Sequence, residues 1–310
     1  MLKKFVHLIF FGNYFYGCCT VALAIEANMQ QNVPLNSLWF YVLLYCATLL
    51  FYTYAYIQEK NTAIAIRNTT SKTLNQRTKW YADHWKFIKV SQAILILICT
   101  AICILFLLKF YNRLFIITPL QFAGLALTGF IAFAYYGVSF GSFKINTRSS
   151  GWFKPFAIGL VWATAVTYIP ILWYQVESNT PYIFAPDNLW FFMKNFMYIS
   201  LLAILFDIKD YAADHNLKLK TFVVRMGLHK TIFLIIIPLT ILGFISLLIF
   251  ALLLHFPFWR IIINSIPFIL LVVVAWSMTS RKSILYYLAV IDGLMLVKAL
   301  CGISAYLLVR

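Results

Sequence analysis

Long apolar runs separated by short polar stretches fill this chain from end to end. A helix rising about 1.5 Å per residue needs about 20 residues to cross about 30 Å of hydrocarbon. Runs of that grade lie near 5–25, 38–57, 88–108, 114–140, 154–174, 189–206, 231–254, 260–279 and 284–308. The pattern predicts an all-α, polytopic membrane protein with nine transmembrane helices in a single domain over 1–310. The first run follows Lys3 and Lys4 and contains Ala22-Leu23-Ala24, as a secretory leader would, but Asn13, Tyr14 and Tyr16 interrupt it and its length suffices to span. It is read as a span.

Composition agrees, with 63% hydrophobic and only 11% charged residues. No soluble core of this size needs so much apolar surface. The net charge of +16 would suit nucleic acid if it formed one face, but the basic residues are scattered over short loops, so nucleic acid is not expected as a partner and membrane lipids are. One set of alternate loops carries Lys3, Lys4, Lys60, Arg67, Lys72, Arg77, Lys79, Lys86, Lys89, Lys144, Arg148, Lys154, Lys209, Lys218, Lys220, Arg225, Lys230, Arg281 and Lys282. The other carries only Lys109, Arg113, Lys194, Arg260 and Arg310, together with Glu26, Glu177 and Asp187. By the positive-inside rule the N-terminus is cytoplasmic and the C-terminus outside. With no organellar targeting pattern, a bacterial-type inner membrane is the expected location. The six cysteines lie in apolar runs without zinc-ligand spacing and read as packing residues.

Chemistry concentrates where the sixth run ends, in Leu205-Phe-Asp-Ile-Lys-Asp-Tyr-Ala-Ala-Asp214. Asp207, Asp210 and Asp214 are three of only nine acidic residues. At about 100° per residue these positions share one helix face. Like charges so placed repel unless a cation intervenes, and a hard divalent ion such as Mg²⁺ is the usual remedy. A solvated helix end is the plainer alternative.

The text beyond the cluster, with a Lys-rich turn, Thr221, Arg225 and Gly227 before the next apolar run, resembles the second aspartate motif of the UbiA superfamily of intramembrane prenyltransferases. The resemblance implies a UbiA-like bundle in which loops 58–87 and 207–230 cap an active site. It also implies transfer of a prenyl group from an isoprenoid diphosphate to a lipophilic or aromatic acceptor. Asp207, Asp210 and Asp214 would be the catalytic, Mg²⁺-binding residues. Lys144 and Arg148 match the family's basic segment after the fourth span; Arg225, Arg67 and Tyr54 complete the expected substrate contacts. The chain departs from the family at the first aspartate motif, where Phe51-Tyr-Thr-Tyr-Ala-Tyr-Ile-Gln-Glu-Lys-Asn61 has tyrosines in place of Asn and Asp.

Three readings stay open: a divergent prenyltransferase, a catalytically degenerate isoprenoid- or lipid-binding membrane protein, and a small-solute or lipid transporter. Further along, Asp292 and Lys298 fall inside the ninth run, on opposite faces, and are poor partners for each other. Asp83 and His84 read as the foot of the third span. Pro238 and Pro267 read as kinks, Gly137 and Gly141 as a GxxxG packing motif. No P-loop, dinucleotide fingerprint, HExxH or GxSxG occurs.

Overall fold

The first apolar run is not one straight rod. In the computed structural model of the chain, α1 (Leu2–Phe11) and α2 (Tyr14–Gln30) meet at a 56° bend. Asn13 turns the corner with φ of 67°, in the left-handed region that Asn tolerates better than most residues. The polar residues that interrupt the run therefore break it, as the apolar pattern alone would not.

Backbone is described for residues 2–67, 76–135, 138–140, 143–145, 151–211, 221–280 and 282–308, and side chains for all of these but 2–3, 58–67, 138–140, 143–145 and 210. The remaining helices are α3 (Leu38–Arg67), α4 (Gln76–Asp83), α5 (Trp85–Phe110), α6 (Pro119–Tyr135), α7 (Lys154–Ser178), α8 (Pro186–Asp207), α9 (Phe222–Met226), α10 (Leu228–Leu253), α11 (Phe258–Ser277) and α12 (Ile284–Leu307). Among the described residues seven helices are long and apolar enough to cross a membrane, and eight if the bent pair counts as one span. The fourth run differs from expectation. Its helix α6 stops at Tyr135, and β1 (Val138–Phe140) pairs antiparallel with β2 (Phe143–Ile145) where the run was expected to continue. Gly137 and Gly141 lie outside the described residues.

Large apolar side chains stay outward on the long helices: Leu97 of α5 is 70% exposed and Leu252 of α10 is 71% exposed. Water would not tolerate such a surface, whereas lipid chains would. The chain is thus a multi-pass helical membrane protein.

The helices form two compact units, one of Met1–Val21 with Asn36–Leu114, the other of Ala22–Leu35 with Phe115–Arg310. In the first, Cys46, Leu49 and Leu95 join α3 to α5. Its polar centre is Arg77, whose guanidinium donates to the carbonyls of Phe10 and Phe11, to Asn13 Oδ1 and to Tyr56 Oη. Asn13 Nδ2 in turn donates to Tyr81 Oη at 2.9 Å, and Tyr81 donates to the Phe11 carbonyl at 3.0 Å. The network supplies donors to the backbone carbonyls at the bend between α1 and α2, where helical hydrogen bonding lapses. His84 stands between α4 and α5 with its ring on Trp80, at the foot of the third span as read from the sequence.

The second unit is built on α7, α8, α11 and α12. Gly159 of α7 lets α8 approach closely, since a Cβ there would collide with Ser200 Oγ and lie 2.8 Å from the Phe196 carbonyl oxygen. Among the described residues three spans contain π-helical turns, at Thr164–Tyr168, Thr231–Ile236 and Tyr287–Ile291. The first two end two residues before Pro170 and Pro238. A proline ring clashes with the carbonyl four residues back, and a widened turn moves that carbonyl aside. Pro238 thus expresses itself as a π-turn, while Pro267 sits inside α11 and its carbonyl accepts from Tyr198 Oη at 3.3 Å.

Candidate functional site

Asp207 is the last residue of α8 and only 4% exposed. A carboxylate there faces the negative end of its own helix, an unfavourable place. The remedy is the neighbouring antiparallel helix, whose first residue, Lys154, donates its ammonium to Asp207 Oδ1 at 2.5 Å. Each charge sits at the wrong end of its own helix and beside the complementary end of its neighbour. The close approach at Gly159 holds the two ends together.

Beyond Asp207 the chain tightens into a 3₁₀ turn over Ile208–Asp210. At three residues per turn, positions 207 and 210 stay in line. Helix α9 then opens at Thr221, whose Oγ1 accepts from Val224 N at 3.3 Å. It closes at Gly227, with φ of 81°, a conformation that disfavours any residue with a Cβ. The spacing Thr221, Arg225, Gly227 therefore has a structural reason: cap, last turn and stop. The Arg225 guanidinium lies 5.3 Å from the Trp152 ring centre, and Trp152 packs on Phe222 at 4.2 Å. Trp152 is two residues from Lys154, so α9 and the start of α7 bring Arg225 to the same corner as the Lys154–Asp207 pair.

Other expected site residues fall differently. Asp210 has only its backbone described, and Asp214 and Arg148 lie outside the described residues. Lys144 is in β2, its backbone in register with Ser139. Arg67 ends α3, and Tyr54, 47% exposed on α3, belongs with it to the first unit. Among the described residues no three His, Cys, Asp or Glu side chains come together as a metal site, and this set includes neither Asp210 nor Asp214. The donor chemistry suits a hard cation, since carboxylate oxygens are its preferred ligands. Lys154 already occupies Oδ1 of the one described member.

Two features escaped the sequence reading. Lys154 belongs to the aspartate corner, where the reading treated it as a topology-setting charge. Glu26, expected in a loop, is 1% exposed within α2, and Lys298 donates to both its carboxylate oxygens, at 2.9 and 2.7 Å. Lys298 and Asp292 do not pair, as their spacing indicated. A lysine inside an apolar run requires an acidic partner, and with so few acids in the chain that requirement was the signal.

Comparison with known proteins adds no relative: no family model, curated protein or solved structure matches this chain.

Proposed function

We propose that the chain is a nine-span, UbiA-like membrane prenyltransferase, with its N-terminus cytoplasmic, that moves a prenyl group from an isoprenoid diphosphate to a lipophilic or aromatic acceptor. The observation that carries the reading is Asp207, a carboxylate buried at the end of a membrane-grade helix and fixed by Lys154 beside Arg225. In such a transfer the allylic carbon–oxygen bond breaks, diphosphate leaves with the electron pair, and the acceptor forms the new bond and releases a proton. Asp207, Asp210 and Asp214 are the residues that would hold Mg²⁺, which would offset charge on the departing diphosphate. Lys154 keeps the Asp207 carboxylate oriented at the helix end. Arg225, Lys144 and Arg148 would meet phosphate oxygens, Arg through its planar fork and Lys as a point charge. Trp152, Phe156 and Phe222 form an aromatic cluster beside this corner, and ring faces tolerate cationic carbon without attacking it.

A second reading has its own observation. The Lys154 ammonium neutralises one of the three carboxylates directly, which lessens the need for a metal and suits a non-catalytic isoprenoid-binding protein. One experiment tests both. Binding of a long-chain prenyl diphosphate to the protein in nanodiscs is measured with and without Mg²⁺, beside Asp210→Asn/Asp214→Asn. Metal-dependent binding lost in the variant, with turnover once an acceptor is supplied, supports the enzyme. Binding without metal dependence supports the second reading. No binding by folded protein removes both.

A further inference from the structure

Toward the other end of α8, basic side chains outnumber acidic ones among the described residues around Lys194. Lys194 lies 13 residues before Asp207, about 20 Å along the helix axis, so the group it serves is separate from the aspartate corner. Glu26, Lys298 and Arg260 all lie within electrostatic reach of Lys194. Two further basic side chains and a single carboxylate therefore lie near Lys194.

That carboxylate is already used. Lys298 grips both of its oxygens, and the Gly302 backbone lies so close that a Cβ there would come 2.5 Å from Glu26 Oε1. Arg260 donates from Nη2 to Gln30 Oε1 at 2.8 Å and rests on the Phe256 ring at 3.9 Å, but its buried Nε has no acceptor. Among the described residues the Lys194 ammonium makes no hydrogen bond and lies 5.2 Å from the centre of the Trp190 ring and 4.5 Å from that of Phe191, the ring that Lys298 also approaches at 5.5 Å. A cation over an aromatic face recovers about 0.5–2 kcal/mol. Removing an ion from water costs several kcal/mol. Rings alone leave the deficit open.

We propose that Lys194 and Arg260, walled by Trp190, Phe191 and Phe256, form a binding site for a phosphate-type oxyanion. The missing acceptor is an anion: it would take the Lys194 ammonium and the Arg260 Nε–H as charge-assisted donors and balance the surplus charge. Its source is either the headgroup of an anionic lipid or a free phosphate. Lys194 stands eight residues, about 12 Å, inside the start of α8 at Pro186, a depth that a headgroup drawn inward along aromatic walls can reach. The site does not depend on the reading of Asp207.

The test separates the two sources. Protein in nanodiscs of phosphatidylcholine with phosphatidylglycerol is analysed by native mass spectrometry for retained lipid. In discs of phosphatidylcholine alone, inorganic phosphate is titrated against chloride at constant ionic strength while thermal unfolding is followed. Retention of phosphatidylglycerol, weakened about tenfold or more in Lys194→Met and in Arg260→Gln, supports the site with a lipid headgroup. A phosphate-dependent rise in melting temperature that both variants lose supports it with a free oxyanion. Lys194→Arg, which keeps the charge, should retain binding, and Lys194→Met should fold, since it removes an uncompensated charge at equal length. The proposal is overturned if folded wild-type protein binds neither probe, if binding survives both substitutions, or if exposed Lys89→Gln lowers it equally.

Discussion

Glu26→Gln should be among the most damaging conservative substitutions in this protein. The amide matches the carboxylate in size, so the tight fit against Gly302 is kept and only the charge is removed. Lys298, 4% exposed, then keeps a buried ammonium without its carboxylate. Breaking one half of a buried pair costs about 3–5 kcal/mol. Lys298→Met should cost a similar amount by stranding Glu26. The double variant Glu26→Gln/Lys298→Met removes both charges and should lose less than either single change, because the desolvation of two ions disappears with their attraction. Unfolding in mixed micelles at neutral pH, followed through tryptophan emission, provides all four corners of the cycle. The pair is too buried for solvent ions to screen, so its coupling should be the same at low and high salt. Additive losses in the double variant would refute the argument.

Other substitutions test the remaining joints. Gly159→Val should destabilise by about 1–3 kcal/mol through overpacking against Ser200 and Phe196, and should weaken any metal-dependent diphosphate binding by parting Lys154 from Asp207; a variant that melts like the wild type would remove Gly159 from that role. Gly227→Ala meets no atom within 4 Å, so its expected cost of about 1–3 kcal/mol comes from backbone conformation alone, and an unchanged melting temperature would contradict it. Burial pushes the Tyr81 hydroxyl up to about 12 from its ordinary 10. The unfolded chain releases that proton first, so the stability contribution is intact below pH 10 and is lost as pH rises through about 12. The loss is about 1.4 kcal/mol per pH unit in that window. Tyr81→Phe should be less stable at neutral pH, having given up two hydrogen bonds, yet show a flatter decline from pH 10 to 12 in melts at stepped pH.

The apolar pattern located the long helices well, because twenty-residue apolar runs admit few other structures. It misjudged the places where a polar group decides the local path. Asn13 turns a corner because Arg77, Tyr81 and Thr53 wait for its side chain, and those partners are 40 to 68 residues away. The spacing of Thr221, Arg225 and Gly227 was legible as a motif, and its cap-and-stop logic is local. The partner of Asp207 was not legible, because Lys154 reaches it only through the packing of α7 on α8. Glu26 was hidden for the same reason, its partner being 272 residues distant.

The π-turn at Tyr287–Ile291 bears on how this sequence can change. Each such turn carries one residue beyond an α-helical count, and in this one the Asp292 amide donates five residues back, to the Tyr287 carbonyl, at 3.2 Å. Deleting a single residue there would restore an ordinary helix and leave the apolar character of α12 untouched. Because the widened turn absorbs that residue, Lys298 and Gly302 should keep their phase. A residue added to or removed from the α-helical part of the span has no such turn to absorb it and would swing everything downstream by about 100°, carrying Lys298 away from Glu26 and Gly302 out from under it. Changes that are equally silent in a hydropathy profile should therefore be tolerated at the widened turn and refused a turn further along.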